Sequence, residues 1–207
     1  MPATAVNPAE RRPGRRMARA DRVEQLLDVA EVLFAEHGYD GTSIERIART
    51  AGITRPVVYD HFGSKDGIYL ACVRRARDRL ETAITEGVVG VDDLERRLFA
   101  GLDACFAFIE ADPARWAVMF RGVAVTGDVA DEAQEQRFAT VDTIADLIHA
   151  ATPRAPRRQV EAFAHALSGA GQQMERWWRH NPDIPRAEVV DHLHRFAWSG
   201  LSQLVEN

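Results

Sequence analysis

Lysine is almost absent from this chain. Lys65 is the only one, and every other member of the basic count of 26 is an arginine. Cysteine is scarce as well, with Cys72 and Cys105 both set among apolar, helix-patterned residues. That pair excludes a disulfide framework and reads as two small core residues in a reducing compartment. No apolar run approaches the roughly 20 residues that a membrane span needs. The N-terminus is basic, but no apolar segment follows it, so no secretory leader is expected. Strand-type alternation of useful length is missing too. So are a nucleophile elbow and a phosphate loop. "GAGQQM" lacks the third glycine of a dinucleotide fingerprint and falls within a helical pattern. His192 and His194 stand two apart, share no helical face and make a poor metal pair. No catalytic residue, metal or cofactor is expected, and the cytoplasm is the natural setting.

What the chain has in quantity is helical periodicity. Val23, Leu26, Leu27, Ala30, Leu33 and Phe34 form one stripe, stopped at "EHGYDGT" by Gly38. "TSIE" from Thr42 matches a capping box, and a short helix burying Ile44, Ile47 and Ala48 follows. Gly52 interrupts it. A second short helix, about Arg55 to Phe62, carries Pro56 near its start, where no amide is needed. Ser64 then opens a long helix with Ile68, Tyr69, Cys72, Val73, Ala76 and Leu80 on one side. Leu94 to Ile109 marks a fifth helix and "DPARW" opens a sixth. Later helices are separated by "RGVAVTGD", "ATPRAP" and "HNPDIP". The expected fold is all-α with about nine helices.

Charge is unevenly spread. The whole chain of 207 residues carries −5, yet the first 22 residues hold six arginines against two carboxylates. A basic arm at +4 is thus attached to a body at −9. The arm, residues 1–19, reads as disordered, either a plain solvated tail or an aid to DNA binding. Met17 is an alternative translation start that would remove most of it.

The two short helices joined by a glycine turn have the layout of a helix-turn-helix. Val58 and Phe62 serve the apolar face of the second. Arg55, Pro56, Val57, Tyr59, Asp60 and His61 mostly point elsewhere. An arginine, a phenol and a histidine on one exposed face suit a nucleic-acid surface, and equally a mixed polar surface helix. Lys65 tips this balance. It sits in a first helical turn, where a cation opposes the macrodipole. Lysine and free helix amides repel each other unless an anion lies between them, and a DNA phosphate would be that anion.

"LLDVAEVLFAEHGYDGTSIERIARTAGITRPVVYDHFGSKDGIY" resembles the N-terminal DNA-binding domain of the TetR family of bacterial transcriptional regulators. The likeness is strong from about Arg22 to Leu80. It implies a three-helix DNA-binding domain at 20–66 and an effector-binding and dimerisation domain at 67–207. By resemblance, Thr42 and Ser43 bond backbone phosphate. Arg55 reads base edges, favouring guanine, and Pro56 and Val57 meet a thymine methyl. Tyr59, His61 and Lys65 hold phosphate. Glu45 departs from the pattern, since some relatives present a cation there.

The resemblance also implies a homodimer joined through its last two helices. Two stripes of small and apolar residues fit that role. One is Ala164, Leu167, Gly171, Met174 and Trp178; the other is Leu193, Ala197, Gly200 and Leu204. The alternative is that both stripes pack inside one protomer. Aromatics are generous in the middle of the chain. Phe106, Trp116, Met119, Phe120, Phe138, Phe163 and Trp177 are the expected lining of an effector cavity, with Arg121, His165, Gln172 and Gln173 as weaker polar candidates. The helix that begins at Lys65 is the expected link from DNA surface to body. The function expected is a repressor that leaves a palindromic operator when an apolar or aromatic small molecule binds. An architectural DNA-binding protein and a helical ligand-binding enzyme are the alternatives.

Overall fold

Capping side chains set four of the helix starts. In the computed structural model, which describes residues 18–120 and 127–204, Ser43 Oγ accepts from the Arg46 amide and opens α2 (Ile44–Thr50). The cap expected at Thr42 therefore falls one residue later. Ser64 Oγ accepts from the Gly67 amide at 3.0 Å and opens α4 (Lys65–Gly87). Asp93 does the same for α5 (Leu94–Ala111), and Asp112 for α6 (Pro113–Phe120). The remaining helices are α1 (Arg19–His37), α3 (Arg55–Phe62), α7 (Asp128–Ala151), α8 (Arg157–Arg179) and α9 (Arg186–Leu201). Among the described residues there are nine α-helices, a short 3₁₀ turn at Ser202–Leu204, and no strand. The basic arm through residue 17, the Met17 start and Arg121 lie outside the described residues, as does the side chain of Leu204.

Two apolar cores organise the chain. The head core takes Leu26, Ala30 and Phe34 from α1, Ile47 from α2, Val58 from α3, and Ile68, Tyr69 and Val73 from α4. The body core takes Ala76, Leu80 and Ile84 from the rest of α4, with Phe106, Met119, Leu193 and Leu201. The expected division after residue 66 thus cuts through the head core, which runs along α4 to Val73. In the body, α5 packs on α4 and α9, while α7 packs on α4 and α8.

Helix α6 belongs to both cores. Trp116 and Met119 enter the body core, and Val118 enters the head core. Ala133 of α7 joins the head as well. The head and body are therefore held together by α4, α6 and the start of α7.

Candidate nucleic-acid interface and central cavity

The turn between α2 and α3 is fixed by Gly52, whose φ of +68° is a left-handed conformation that side chains disfavour. The Ile53 amide then donates to the Ala48 carbonyl at 2.9 Å. Val58 is the one fully buried side chain of α3, and its burial is worth about 1.5–3 kcal/mol to the docking of that helix. At the other end, Gly67 lets α4 start close against α3. A Cβ there would lie 2.0 Å from the Phe62 carbonyl oxygen. The beginning of α4 is thereby seated beside the end of α3.

This scaffold leaves Ser43, Arg55, Pro56 and Tyr59 exposed, and Val57, His61 and Lys65 partly so. Thr42 is different. It is buried, and its hydroxyl is turned to the carbonyls of Leu33 (3.0 Å) and Gly38 (2.8 Å). It locks the end of α1 to the start of α2 and does not face a phosphate, a correction to the expected contact set. Glu45 meets Arg55: its Oε1 lies 3.6 Å from the guanidinium, both side chains being well exposed. An anion thus sits beside the expected base-reading arginine.

Lys65 has an intrachain partner that helix-end reasoning could not see. Its Nζ stands 4.0 Å above the Tyr39 ring, a cation–π contact. The Tyr39 hydroxyl donates to Asp66, in the first turn of α4, where a carboxylate favours the macrodipole. Burial and that hydrogen bond push the Tyr39 phenol well above its ordinary pKa, so the ring stays neutral under the ammonium. Tyr39 in turn packs on Phe34 and Tyr69 in the head core. The lone lysine is thus stabilised without an anion, and it is also held at the edge of α3 with part of its surface free.

Behind the interface lies a buried ionic cluster. Glu31 of α1 is 2% exposed and Arg75 of α4 is 9% exposed. Arg75 donates from Nε to Glu31 Oε1 at 2.8 Å, and its Nη2 lies 2.6 Å from Glu31 Oε2. It also reaches Glu24 and Asp28. Burial opposes the Arg75 charge, but the bonds to Glu31 and Glu24 outweigh it and raise its pKa above the ordinary value. Arg115 of α6 completes the cluster, with Nε 3.0 Å from Glu31 Oε2 and a further bond to Asp112. Three helices from head and body thus meet on one carboxylate. The sequence held a signal for this: Arg75 sits between Cys72, Val73 and Ala76 on the buried stripe of α4, and Glu31 beside Ala30.

A cavity of about 100 Å³ opens in the body among α4, α5, α6, α7, α8 and α9. Phe106, Trp116 and Phe120 line it as expected. The other expected lining residues do not. Met119 is fully buried in the body core, and Phe163 packs against that core. Phe138 and Trp177 are exposed on the surface, at 47% and 41%. Of the weaker candidates, His165 is exposed against Phe138, and Gln172 bonds Ser168. The wall comes instead from aliphatic residues such as Leu98, Leu102, Ile144, Leu147 and Leu167, which composition alone could not separate from core.

The expected dimer stripes also turn inward. Ala164, Leu193 and Ala197 are buried within the protomer, Leu167 and Gly171 line the cavity, and Met174 and Trp178 pack on the body core. Trp178 donates to the Ile184 carbonyl at 2.7 Å. Spacing identifies a buried helix face but not what buries it, and here the protomer does. Gly200 alone of the described set is exposed. The outward face carries Ala162, Ala166, Gly169 and Gln173 of α8 with Phe196 of α9, which is 69% exposed.

Comparison with known proteins follows the same two-part division. Residues 26–72 match the bacterial regulatory proteins of the tetR family, and residues 94–200 match the tetracyclin repressor-like C-terminal domain. The HTH-type transcriptional activator FasR of Mycolicibacterium smegmatis is 32% identical over 209 residues, covering 97% of this chain and 95% of that protein. The HTH-type transcriptional repressor AcnR of Corynebacterium glutamicum is 35% identical over 69 residues, 33% of this chain and 37% of that one. The crystal structure of a TetR-like transcriptional regulator from Rhodococcus sp. RHA1 superposes with a TM-score of 0.73 at 28% identity, over 90% of this chain and 99% of that one.

Proposed function

The chain belongs to the tetR family of bacterial regulatory proteins and is a DNA-binding regulator of transcription, and we propose that it grips its operator as a two-fold dimer under the control of an apolar-bodied molecule in the body cavity. Members of the family act as dimers on DNA operators and are not enzymes. In the proposed complex Arg55 enters the major groove, and Ser43, Tyr59 and Lys65 position the head on the backbone. The partner protomer docks on the outward face of α8 and α9, with Phe196 and Gly200 at its centre.

The observation that carries ligand control is α6. Trp116 and Phe120 border the cavity, while Val118 and Arg115 of the same eight-residue helix reach the head. A molecule that displaces α6 alters the contacts of Arg115 with Glu31 of α1, and through that carboxylate the hold of Arg75 on α4. Helix α4 spans about 22 Å from Lys65 to Leu80 on the cavity wall. It was the only link expected from sequence, and α6 supplies a second. The ligand acts by favouring a dimer in which the two recognition helices are mis-spaced for adjacent grooves. Moving the population from mostly bound to mostly free needs about 10⁴-fold preference, roughly 5.5 kcal/mol.

The sign of regulation follows the promoter. Repression is the expected mode, and the activator role of FasR, a relative matched over 95% of its length, supports the opposite sign as the second reading. Selection of bound DNA from a random pool, followed by transcription from a promoter bearing the selected site, tests both. An inverted repeat with half-sites one helical turn or a multiple apart is expected. Bound DNA without any enriched sequence would favour an architectural role. Transcription that rose on adding protein would establish the activator.

A further inference from the structure

We infer that Tyr39 is a positioning residue of the DNA interface: its ring holds the Lys65 ammonium ready for a backbone phosphate, and its hydroxyl occupies the neighbouring Asp66 carboxylate. This rests on reading Lys65 as a backbone contact. A lysine is a point charge on a flexible four-carbon stem, and ordering that stem opposes any phosphate contact it makes. Here much of the ordering is done before DNA arrives. Lys65 Nζ stands 4.0 Å from the centroid of the Tyr39 ring, over the electron-rich face that attracts a cation. An ammonium carries three N–H donors, so one ring face leaves others for a phosphate. Lys65 stays partly exposed. The ring is itself fixed. Tyr39 lies in the turn between α1 and α2, stacked on Phe34 at 6.1 Å between centroids and set edge-on to Tyr69 at 5.2 Å. Phe34 and Tyr69 are both buried in the head core. The Tyr39 backbone carbonyl accepts from the Thr42 amide at 3.2 Å. A turn residue thus carries the rigidity of the core to a surface lysine.

The hydroxyl has a second task. Asp66 follows Lys65 in the first turn of α4, where a carboxylate suits the macrodipole but repels a phosphate at the same helix end. The Tyr39 hydroxyl donates to Asp66 Oδ1. That bond ties the carboxylate to the ring and keeps it from claiming the ammonium beside it. The cap of the helix is filled from within the chain, since Ser64 Oγ takes the Gly67 amide at 3.0 Å. The group left to meet a phosphate is therefore the ammonium, on a platform that also restrains the nearest anion. A ring that only packed the head would have no dependence on Lys65, and this separates the two roles.

The test is a pair of mutant cycles in the full-length dimer, read by anisotropy on the selected operator and on scrambled DNA across salt. Circular dichroism checks that each variant is folded at the temperature of measurement. Lys65→Ala should weaken both duplexes about equally and lower the salt slope by about one. Tyr39→Leu, which removes ring and hydroxyl, should weaken both by about two- to tenfold, the range for ordering one long side chain on binding. In the Lys65→Ala background the same change should matter by less than about twofold. Tyr39→Phe keeps the ring and should recover most of that loss, and what remains should vanish when Asp66→Asn is added. A Tyr39→Leu loss that persisted in Lys65→Ala would make the ring a packing residue and overturn the inference. A Tyr39→Phe loss as large as that of Tyr39→Leu would overturn the role of the ring, and one that survived Asp66→Asn would overturn the role of the hydroxyl. If Tyr39→Leu does not fold, Tyr39→Phe in the Lys65→Ala and Asp66→Asn backgrounds decides by the same criteria. Lys65→Ala that left affinity and salt slope unchanged would instead remove the reading of Lys65 as a phosphate contact, and the inference with it.

Discussion

In the head, Thr42, Glu31 and Arg75 are buried and each has its partners inside the protein, the enclosed Tyr69 hydroxyl and His61 Nδ1 being exceptions. Around the body cavity, Arg97, Trp116 and Thr140 keep enclosed polar atoms without any. The first arrangement holds α1, α2 and α4 in one geometry and presents α3 to DNA as a finished surface. The second leaves polar atoms unpaired behind an apolar cavity wall. A buried polar group with partners specifies position, and one without partners specifies less.

The sharpest way to break this comparison is at Glu31. Glu31→Ala leaves Arg75 and Arg115 around an emptied buried site, and should cost about 3–5 kcal/mol. Urea unfolding would measure it, and a loss below about 1 kcal/mol would mean that the cluster does not hold head to body. Next in size is Phe196→Asp, which puts a charge at the centre of the proposed dimer face. It should weaken association by about 2–4 kcal/mol while the protomer stays helical. Light scattering with circular dichroism reads both, and an intact dimer would move the interface off this face.

Arg55→Ala should relax preference at one base position by about 1–3 kcal/mol, with little change on scrambled DNA. Glu45→Gln should do the reverse, raising affinity for operator and scrambled DNA alike by freeing Arg55 from its neighbour. Anisotropy on both duplexes separates the two effects. The smallest effect is the most diagnostic of the body. Thr140→Val replaces an unpartnered buried hydroxyl with a methyl, and should be neutral or stabilising by up to about 1 kcal/mol. Thr42→Val, the same exchange in the head, removes the hydroxyl that serves the Leu33 and Gly38 carbonyls and should destabilise by about 1–3 kcal/mol. Equal outcomes at the two threonines would erase the distinction between the regions.

The same contrast explains what the sequence made legible. The head is written in local terms. Gly38, Gly52 and Gly63 sit at positive φ where turns were expected, and the stripe from Leu26 to Phe34 is buried as its spacing implied. What escaped was the cap at Ser43 and the contacts between elements: Lys65 on Tyr39, Glu45 on Arg55, Thr42 turned inward. In the body, helix number and most boundaries were readable, since α5 and α6 begin at Asp93 and Asp112 caps. Which face meets core, cavity or partner was not. Periodicity reports that Ala164 and Leu193 are covered, and a protomer core covers them as well as a dimer would. Phe138 and Trp177 look like cavity aromatics by composition and lie on the surface.

The central claim is that cavity and operator share one equilibrium through α6. By linkage, a ligand that weakens operator binding by some factor must itself bind the operator complex more weakly by that same factor. A small apolar molecule selected by the tryptophan fluorescence change it causes, titrated calorimetrically into the dimer with and without the selected operator, measures this from one side, and operator anisotropy with and without that molecule measures it from the other. The account predicts one shared factor of about tenfold or more, reduced towards one in Arg115→Gln. A molecule that fills the cavity equally well in free and operator-bound protein would contradict it.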